Sequence, residues 1–531
     1  MTRFENSDSD VVVVIGSGAG GGTLANDLCQ AGVRVVVLEA GPHLTGPDYH
    51  NDEWPAFNQM AWTDMRTTSG SYRVARDFPN LPAWTVKAVG GTSTHWAGAC
   101  PRFKEYEFAA KTTYGDVEGA SLLDWPITLA EMEPYYDNAE IRMGVTHRHG
   151  RPPLPANNNY KVMANGAQKV GYQQYATGPY ATNATPFDGR PATNQDGFNF
   201  QGDKTGAKWS TLVAELPKAE KTGNLDLRPN CHAAQITHDA TGKADGVLYF
   251  EDGTLKRQAA RVVCVAANAI ETARLLLLSG SPLFPDGMAN SSGQVGRNYM
   301  RHLTASSYAR FEQPVHMYRG ETMAGIVADE AGLRKERGFV GGYYMETLSL
   351  GPAFLAAFAD PGAWGPKFTE IMDGYENTAG LWIVGEDMPQ STNRVTLNTD
   401  VLDQYGLPVP NVNFDDHAND VAMRSYAWEH AAELYRSVGA VGVTDTPPYP
   451  ATHNMGTARM SARPEDGVLD KWGKAHDVPN VFVSRSGDST AMWCACRPPK
   501  KSCICFPLTV KPPLPGYRRT RATAVLRRPV P

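Results

Sequence analysis

The sequence lacks any hydrophobic run of the roughly 18 residues that a membrane-spanning helix needs, so we expect no transmembrane segment. Its first ten residues are polar and contain neither the basic nor the apolar region of a secretory signal, which predicts a cytoplasmic protein. Positive charge is not in excess either. The formal net charge is −6, so the composition gives no electrostatic reason to expect nucleic acid as a partner.

Cysteine is scarce, with 8 residues in 531. Four occur singly, as Cys29, Cys100, Cys231 and Cys264, and such scattered cysteines are typical of reduced, buried small side chains. The length exceeds one ordinary hydrophobic core, and 42% of the residues are hydrophobic. We therefore expect a globular protein with two domains, or with one domain inserted into another.

The N-terminal segment predicts a strand, a helix and a second strand in succession. Residues 11–15 form a β-branched apolar run typical of a buried parallel strand, and the glycine-rich turn of residues 16–21 follows at once. Apolar residues then recur at helical spacing until Gly32, and residues 33–38 form a second apolar run that ends at Glu39. This order is the βαβ unit of Rossmann-like α/β folds.

The turn and the acid together predict a dinucleotide-binding site. Gly16, Gly18 and Gly21 let the backbone turn tightly and approach a pyrophosphate at the positive end of the helix. Glu39 is placed to accept hydrogen bonds from an adenosine ribose. The unit alone leaves FAD and NAD open, and the alternative to both is a glycine-rich turn without a ligand.

A second glycine-rich block, GGTSTHW at residues 90–96, packs small residues around a histidine and a tryptophan, which suits backbone lying against a flat ring. EAGP at 39–42, AIETARLLLLS at 269–279 and THNMGTARM at 452–460 complete a set of four motifs. On these motifs the chain resembles the glucose-methanol-choline (GMC) oxidoreductase family from residue 11 to about residue 484. Two motifs, the STHW form of the second block and LDWPI at 123–127, are most similar to those of pyranose 2-oxidases and of the flavoprotein subunits of gluconate and fructose dehydrogenases.

The resemblance implies an α/β fold in which a discontinuous Rossmann-like FAD-binding domain carries an inserted α+β substrate domain built on an antiparallel sheet. By this pattern, residues 1–110, 200–300 and 445–484 form the FAD-binding domain, and residues 111–199 and 301–444 form the substrate-binding domain. Aromatic residues of the inserted part suit either a sugar-binding cavity or plain core, and core is the commoner role. They are Tyr308, Phe311, Tyr318, Tyr343, Tyr344, Phe354, Phe358, Trp364, Trp382 and Tyr426.

The resemblance also implies an FAD-dependent oxidoreductase acting on CH-OH groups, with a sugar or sugar acid as the favoured substrate. In that family, hydride passes from the carbinol carbon to flavin N5, and His453 stands where its members have the histidine that takes the hydroxyl proton. Histidine suits this task because its pKa near working pH lets a neutral imidazole accept a proton and later release it. A purely structural role is the alternative for His453.

Gly90, Gly91, Thr92, Ser93 and His95 match positions that contact flavin in the resembling proteins. His95 matches the histidine that pyranose oxidases and their relatives bond covalently to the flavin 8α carbon. Other family members bind FAD without such a bond, so covalent and noncovalent attachment both stay open. An NAD-dependent dehydrogenase remains a further hypothesis, and it rests on the first βαβ unit alone.

The acceptor of the electrons is not written in any motif. Resemblance to the dehydrogenase subunits implies a cytochrome or quinone acceptor as partner, besides the small-molecule alcohol substrate. Such relatives can be exported by the signal of a partner subunit. A periplasmic location is therefore the alternative to the cytoplasm.

The tail of residues 485–531 departs from the family pattern. It carries ten Lys or Arg against one acid and contains no His and no Asn, so the Asn- or His-bearing segment that faces flavin in the family is missing. Its composition is typical of a shifted reading frame joined to a GMC body, and an evolved tail is the alternative. If the missing segment is essential, the chain binds FAD but turns over little or no alcohol. The four cysteines of the tail lack the spacing of structural zinc sites, and we expect no metal.

Overall fold

A computed structural model describes residues 2–62, 64–70, 83–197, 199–448 and 453–484 of the chain. A five-stranded parallel sheet lies beneath the glycine-rich turn, and each of its neighbouring strand pairs is parallel. In order across the sheet, its strands are Val481–Val483, Val262–Val265, Val12–Ile15, Val35–Leu38 and Leu225–Arg228. The tail and the expectations that concern it lie outside the described residues.

The first βαβ unit forms as the hydrophobic pattern predicts. Val12–Ile15 and Val35–Leu38 are fully buried, and the helix Ala19–Gln30 connects them. The second strand starts two residues later than the apolar run because the Val33 amide closes the end of the helix, donating to the Leu28 carbonyl. Strands buried on both faces favour β-branched residues, which explains the valine-rich composition.

A six-stranded antiparallel sheet forms the second layer of structure. Its order is Gly442–Asp445, Leu303–Arg310, Thr378–Gly385, Tyr343–Thr347, Ile326–Val327 and Tyr175–Ala176. The helices Asn158–Lys169 and Ala418–Ser437 pack against one face, where a hydrophobic cluster includes Met345, Leu381 and Ile383. Since side chains alternate along a strand, the residues between these point to the opposite face.

Three smaller sheets complete the strands of the described residues. One contains Thr254–Ala259, Ala244–Glu251 and Cys231–His238; one contains Arg394–Leu402, Pro408–Asn413 and Thr68–Ser69; and Ala61–Trp62 pairs with Trp84–Thr85. The four cysteines outside the tail are buried free thiols, as their scattered positions predict.

The remaining helices are mostly short. The longer ones are Leu129–Met143, Asn268–Leu278, Pro352–Ala359 and Pro366–Asp373. The short α-helices are Glu53–Asn58, Glu105–Phe108, Ala110–Tyr114, Thr211–Ala214 and Leu216–Glu220. Single 3-10 turns occur at Gly46–Asp48, Met65–Thr67, Gly91–Thr94, Asn199–Gln201, Lys335–Arg337, Tyr375–Asn377 and Pro464–Asp466. Within the described part of the chain, every helix is too short or too polar to cross a membrane.

The parallel strands come from the segments predicted for the FAD-binding domain. The strands of the large antiparallel sheet come from the segments predicted for the substrate domain, except that the last of them, Gly442–Asp445, reaches the boundary at residue 445. The fold is therefore a mixed α/β structure with separate parallel and antiparallel sheets. The boundaries of the two domains stay a prediction.

Candidate active site

The glycine-rich turn follows the strand Val12–Ile15, and the backbone requires glycine at positions 16 and 21. Gly16 has φ +94°, and a Cβ atom there would lie 2.5 Å from the carbonyl oxygen of Ala266. A Cβ atom on Gly21 would lie 2.0 Å from the carbonyl oxygen of Gly16. The helix begins directly after Gly18, so its unpaired amides and its positive end stand at this turn.

Glu39 lies at the end of the second strand and holds the glycine turn. Its carboxylate accepts hydrogen bonds from the amide and the hydroxyl of Ser17, at 3.0 and 2.6 Å, and from the Gly41 amide at 3.0 Å. Burial raises the pKa of Glu39, while these hydrogen bonds and the charge of Lys87 act in the opposite direction. The predicted ribose acceptor is thus a buried, fully positioned carboxyl group.

The second glycine block packs directly on the first. The Ser17 hydroxyl accepts a hydrogen bond from the Gly90 amide at 3.0 Å, which joins the two turns. Gly91 has φ +52°, and a Cβ atom on it would lie 2.8 Å from the Cα of Gly18. Ser93 donates to the Gly90 carbonyl at 2.6 Å and thereby closes the turn. Two backbone segments about 70 residues apart in the sequence therefore form one surface.

His95 is fully buried, and its two ring nitrogens have partners. Nδ1 lies 2.8 Å from the Thr94 hydroxyl and Nε2 lies 3.2 Å from the side-chain oxygen of Gln59. A neutral imidazole fits these partners when Nε2–H donates to Gln59, which leaves Nδ1 unprotonated beside the Thr94 hydroxyl. Burial, and then the nearby charge of Lys208, lower the pKa of His95 to about 3. The imidazole is therefore uncharged at any ordinary working pH.

His453 lies next to a second histidine that the sequence patterns did not single out. The Nδ1 atoms of His302 and His453 are 2.9 Å apart, and their rings meet edge to face with centroids 5.0 Å apart. The ring of Trp382 lies 5.3 Å from that of His453. His302 directly precedes the strand Leu303–Arg310 and has φ +54°. This sparsely populated backbone conformation is the local feature that distinguishes His302, and it is visible only in the structure.

The backbone on both sides of the histidine pair is tied together. Met300 and Met455 exchange backbone hydrogen bonds of 2.8 and 3.1 Å. The Tyr299 hydroxyl donates to the side-chain oxygen of Asn454 at 2.5 Å. Gly456 has φ +80°, and a Cβ atom there would lie 1.8 Å from the carbonyl oxygen of Asn298. These contacts hold the segment that carries His302 and the segment that carries His453 in fixed positions relative to each other.

A cavity of about 430 Å³ connects these elements. Its lining begins at the glycine turn, includes the second glycine block, and ends at the histidine pair. The predicted site residues that line it are Gly16, Gly18, Glu39, Gly91, Thr92, Ser93, His95 and His453. Gly21 and Gly90 do not line the cavity, and they act through the backbone packing described above.

The antiparallel sheet and the helix Pro352–Ala359 supply the aromatic part of the cavity wall. Of the ten aromatic candidates, Tyr344, Phe354, Phe358 and Trp382 line the cavity. Tyr308 and Tyr343 belong to hydrophobic core clusters, and Trp364 is 85% exposed. The prediction of a cavity wall thus holds for part of the aromatic set; Tyr343 is excluded because it alternates with Tyr344 along one strand and faces the core.

A polar group of side chains lies in the lining beyond the aromatic wall. The Glu386 carboxylate accepts a hydrogen bond from the Tyr114 hydroxyl at 2.6 Å and one from the Gly342 amide at 2.9 Å. Burial raises the pKa of Glu386, and burial together with the charge of Glu386 raises that of Glu107. Both carboxyl groups line the cavity. This end of the cavity can therefore hydrogen-bond a polar substrate.

Glu271 is an acid in the first turn of the helix Asn268–Leu278, and it also forms ion pairs. Its carboxylate lies 3.5 Å from Lys87 Nζ and 3.3 Å from the Arg274 guanidinium. Burial alone would raise its pKa, but these two charges and that of His232 outweigh the burial and lower the pKa to about 2. Glu271 is therefore ionised, and its contacts explain its place without a catalytic role.

A dinucleotide that carries a flat ring fits this set of residues. The helix start and the glycine turns offer backbone amides, and Glu39 offers a carboxylate at the end of the neighbouring strand. The cavity continues from there to His95 and the histidine pair, so one extended ligand can reach from the glycine turn to the catalytic candidates.

Comparisons with known proteins agree with this geometry. Two family models described as GMC oxidoreductase match the chain, at residues 67–304 and at residues 389–486. A model described as an NAD(P)-binding Rossmann-like domain matches residues 14–61, which contain the first βαβ unit.

Individual relatives match over most of their length. The chain is 35% identical over 507 residues to 2-methyl-1,2-propanediol dehydrogenase of Mycolicibacterium austroafricanum, and the match covers 90% of each chain. It is 27% identical over 526 residues to the fructose dehydrogenase large subunit of Gluconobacter japonicus, which covers 90% of this chain and 93% of the relative. The crystal structure of pyridoxine 4-oxidase from Mesorbium loti has a TM-score of 0.62 at 16% identity, covering 92% of this chain and 97% of that one. At this identity, the last similarity concerns the fold alone.

Proposed function

The chain belongs to the GMC oxidoreductase family, and from this premise we propose that it oxidises the CH-OH group of a sugar, a sugar acid or a small polyol with FAD as the cofactor. It is an oxidoreductase by family, and the family implies a flavin. The observation that carries the proposal is that the same cavity reaches from the glycine-rich turn to a pair of histidines.

In this proposal, the FAD pyrophosphate binds at Gly16 and Gly18, at the positive end of the first helix. Glu39 accepts hydrogen bonds from the adenosine ribose. Gly91 to Ser93 and His95 border the isoalloxazine ring, with Gly90 shaping the backbone beside it, while Gly21 shapes the turn at the pyrophosphate. When bound, the flavin supplies the acceptor for the hydride that leaves the carbinol carbon.

His453 is the proposed base for the alcohol. It lines the cavity, and backbone hydrogen bonds between its segment and residues 298–302 fix its position. A neutral imidazole at this point takes the hydroxyl proton as the alcohol becomes a carbonyl. The aromatic ring of Trp382 and the polar end at Glu386 would hold the rest of a hydroxylated substrate.

His95 is the residue through which a covalent bond to flavin would form. Its low pKa keeps the imidazole neutral, which a nucleophilic nitrogen requires. Acid precipitation separates the two cases, because covalent flavin stays with the precipitated chain and noncovalent FAD is released into the supernatant.

The electron acceptor is proposed from the names of two relatives. One is a fructose dehydrogenase large subunit and another is a gluconate 2-dehydrogenase flavoprotein, which favours a dehydrogenase that passes electrons to a cytochrome or a quinone. A cytoplasmic location, with the periplasm as the alternative through such a partner, stays a prediction.

A second candidate function is FAD binding without turnover. It is favoured by one sequence observation, the absence of His and Asn from residues 485–531. The tail would then fail to supply the second polar group that the family places beside the flavin. Loss of one positioned group typically lowers a rate by 10² to 10⁴, so weak activity is compatible with this alternative.

The visible absorption spectrum of the purified chain tests both functions. We expect flavin bands, and we expect them to bleach on anaerobic addition of a member of a panel of sugars, sugar acids and aliphatic diols. Flavin that none of these alcohols bleaches would support the second candidate. A folded protein without flavin bands would contradict FAD as the cofactor.

A further inference from the structure

We propose that His302 is the second imidazole of the active site and acts as the positioning residue of His453. It holds His453 in the tautomer that leaves Nε2 ready to accept a proton, and it shares the positive charge once that proton has arrived. This inference rests on the proposed function, since it assigns a partner to the base of that reaction.

The distance between the two rings limits where the protons are. Two Nδ1 atoms 2.9 Å apart form a hydrogen bond only if one of them carries hydrogen and the other offers its lone pair. A proton on His302 Nδ1 would leave His453 with its hydrogen on Nε2, and the ring could not act as a base there. A proton on His453 Nδ1 leaves Nε2 of His453 unprotonated. The second arrangement is the productive one.

The contact also serves the charged state. When Nε2 of His453 takes the hydroxyl proton, the ring becomes an imidazolium whose Nδ1–H donates to the neutral ring of His302. A hydrogen bond from a charged donor is stronger than one between neutral groups, so the charged state is stabilised more than the neutral one. The selective stabilisation of the state that forms during reaction is what raises a rate.

The step balances in protons and electrons. The O–H proton of the alcohol goes to His453 Nε2, and the C–H hydrogen leaves with its electron pair as hydride to the flavin, so that a carbonyl product forms. The two electrons would then pass from the cofactor to the cytochrome or quinone acceptor proposed above. His453 afterwards releases its proton to solvent, and one proton is again shared between the two Nδ1 atoms.

The fold holds the pair in place from both sides. The Arg301 amide donates to the Asp387 carboxylate at 2.8 Å, directly before His302. The Asn298 backbone would meet any side chain added at Gly456. His302 keeps φ +54° in spite of its cost for a side-chain-bearing residue, and such strain persists only where the surroundings impose it.

A second imidazole beside the base is present within the described residues. Residues 485–531 contain no His and no Asn, so they offer no group of the kind that the family places beside the base. His302 supplies an imidazole from the start of an antiparallel strand instead. Both rings line the same cavity.

Three variants at residue 302 separate a positioning role from a structural one. Asparagine tolerates a positive φ, and its side-chain oxygen stands close to where Nδ1 stands, so His302→Asn keeps the acceptor. His302→Gly tolerates the backbone but removes the acceptor. His302→Gln carries its amide further out, near the position of Nε2, and therefore does not replace Nδ1.

We expect kcat of His302→Gly to fall by 10² to 10³ while KM changes less than threefold, and we expect added imidazole to restore much of the loss. His302→Asn should stay within tenfold of the wild type, and His302→Gln should resemble the glycine variant. Equal losses in the asparagine and glycine variants would overturn the proposal, as would full activity of the glycine variant. His316 has φ +53° and does not line the cavity, so His316→Gly is the matched control and should keep wild-type kcat.

A second measurement does not depend on turnover. Long-range ¹H–¹⁵N spectra of protein labelled at histidine report which ring nitrogen carries hydrogen. We expect the His453 signals, assigned with His453→Asn, to show hydrogen on Nδ1 in the wild type and on Nε2 in His302→Gly. An unchanged tautomer would contradict the proposal. If no alcohol bleaches the wild-type flavin, the proposed function fails, and this spectrum still decides the role of His302.

Discussion

The ammonium group of Lys208 is buried against the peptide that carries His95. Its Nζ donates hydrogen bonds to the carbonyl oxygens of Thr94 at 3.1 Å and Trp96 at 2.5 Å, the residues on either side of His95, and to that of Asn199. Burial lowers the pKa of Lys208 to about 8. A cation therefore fixes the backbone of this histidine and, by its charge, disfavours protonation of the imidazole.

The first prediction concerns the pH dependence of stability. The pKa of His95 is about 3 in the folded chain and 6.5 without perturbation, so between these values the unfolded chain binds a proton that the folded chain does not. The free energy of unfolding must then fall as the pH falls from 6.5 toward 3. We expect His95 to account for roughly 2–3 kcal/mol of the loss between pH 7 and pH 4.5.

Urea unfolding of the wild type and of His95→Gln at several pH values measures this contribution. The difference in unfolding free energy between the two proteins should change with pH by the stated amount. His43→Gln, which removes an exposed imidazole, is the control and should follow the wild type. Parallel curves for His95→Gln and the wild type would contradict a buried neutral imidazole.

The second prediction concerns the backbone beneath His453. A Cβ atom on Gly456 would lie 1.8 Å from the carbonyl oxygen of Asn298, at a φ of +80°. Gly456→Ala should therefore destabilise the protein by about 3 kcal/mol or more and lower the thermal midpoint by several degrees. Differential scanning fluorimetry measures this shift. Gly442→Ala, at a glycine with no heavy atom within 4 Å of the added carbon, should change the midpoint by less than one degree or so.

The residues around the glycine-rich turn could be predicted from sequence because their signals are local. Gly16, Glu39 and the two strands around them lie within one continuous segment, and apolar periodicity places each of them. The capping box of Thr128 and Glu131 is a second local signal, and it begins the helix Leu129–Met143.

The residues that complete the site depend on distant pairings. His302 and His453 are separated by 151 positions, and Lys208 contacts carbonyl groups more than 110 positions away. No local pattern encodes such pairings, because they form only after the sheets and the glycine turns have packed. Lysine is also rarely buried, because its ammonium group then needs several acceptors. The sequence does not reveal which carbonyl groups provide them.

The third prediction concerns Glu39, the acid at the end of the second strand. Glu39 accepts hydrogen from two amides and a hydroxyl, and glutamine can offer only one acceptor oxygen to these donors. Glu39→Gln should therefore retain less than a tenth of the flavin of the wild type after gel filtration, measured by the ratio of visible to ultraviolet absorbance. Glu336→Gln, at an exposed carboxylate, should retain all of it. Equal flavin content in both variants would argue against a role for Glu39 in cofactor binding.

The fourth prediction concerns the proposed base. His453→Asn keeps a polar side chain of similar size but cannot take a proton, so kcat should fall by 10² to 10⁴ while the flavin spectrum stays that of the wild type. Stopped-flow bleaching of the flavin under anaerobic conditions measures the step directly. His316→Asn is the control, since it removes a histidine that does not line the cavity. A bleaching rate within a factor of three of the wild type would exclude His453 as the base.

The parallel sheet has a consequence for the synthesis of the protein. Its edge strand Val481–Val483 pairs with Val262–Val265, which leaves the ribosome more than 200 residues earlier. At about 5–20 residues per second, the earlier strand waits on the order of 10–40 s with an open hydrogen-bonding edge. Open strand edges invite pairing with other chains, so the nascent protein is exposed to aggregation until residue 483 has emerged.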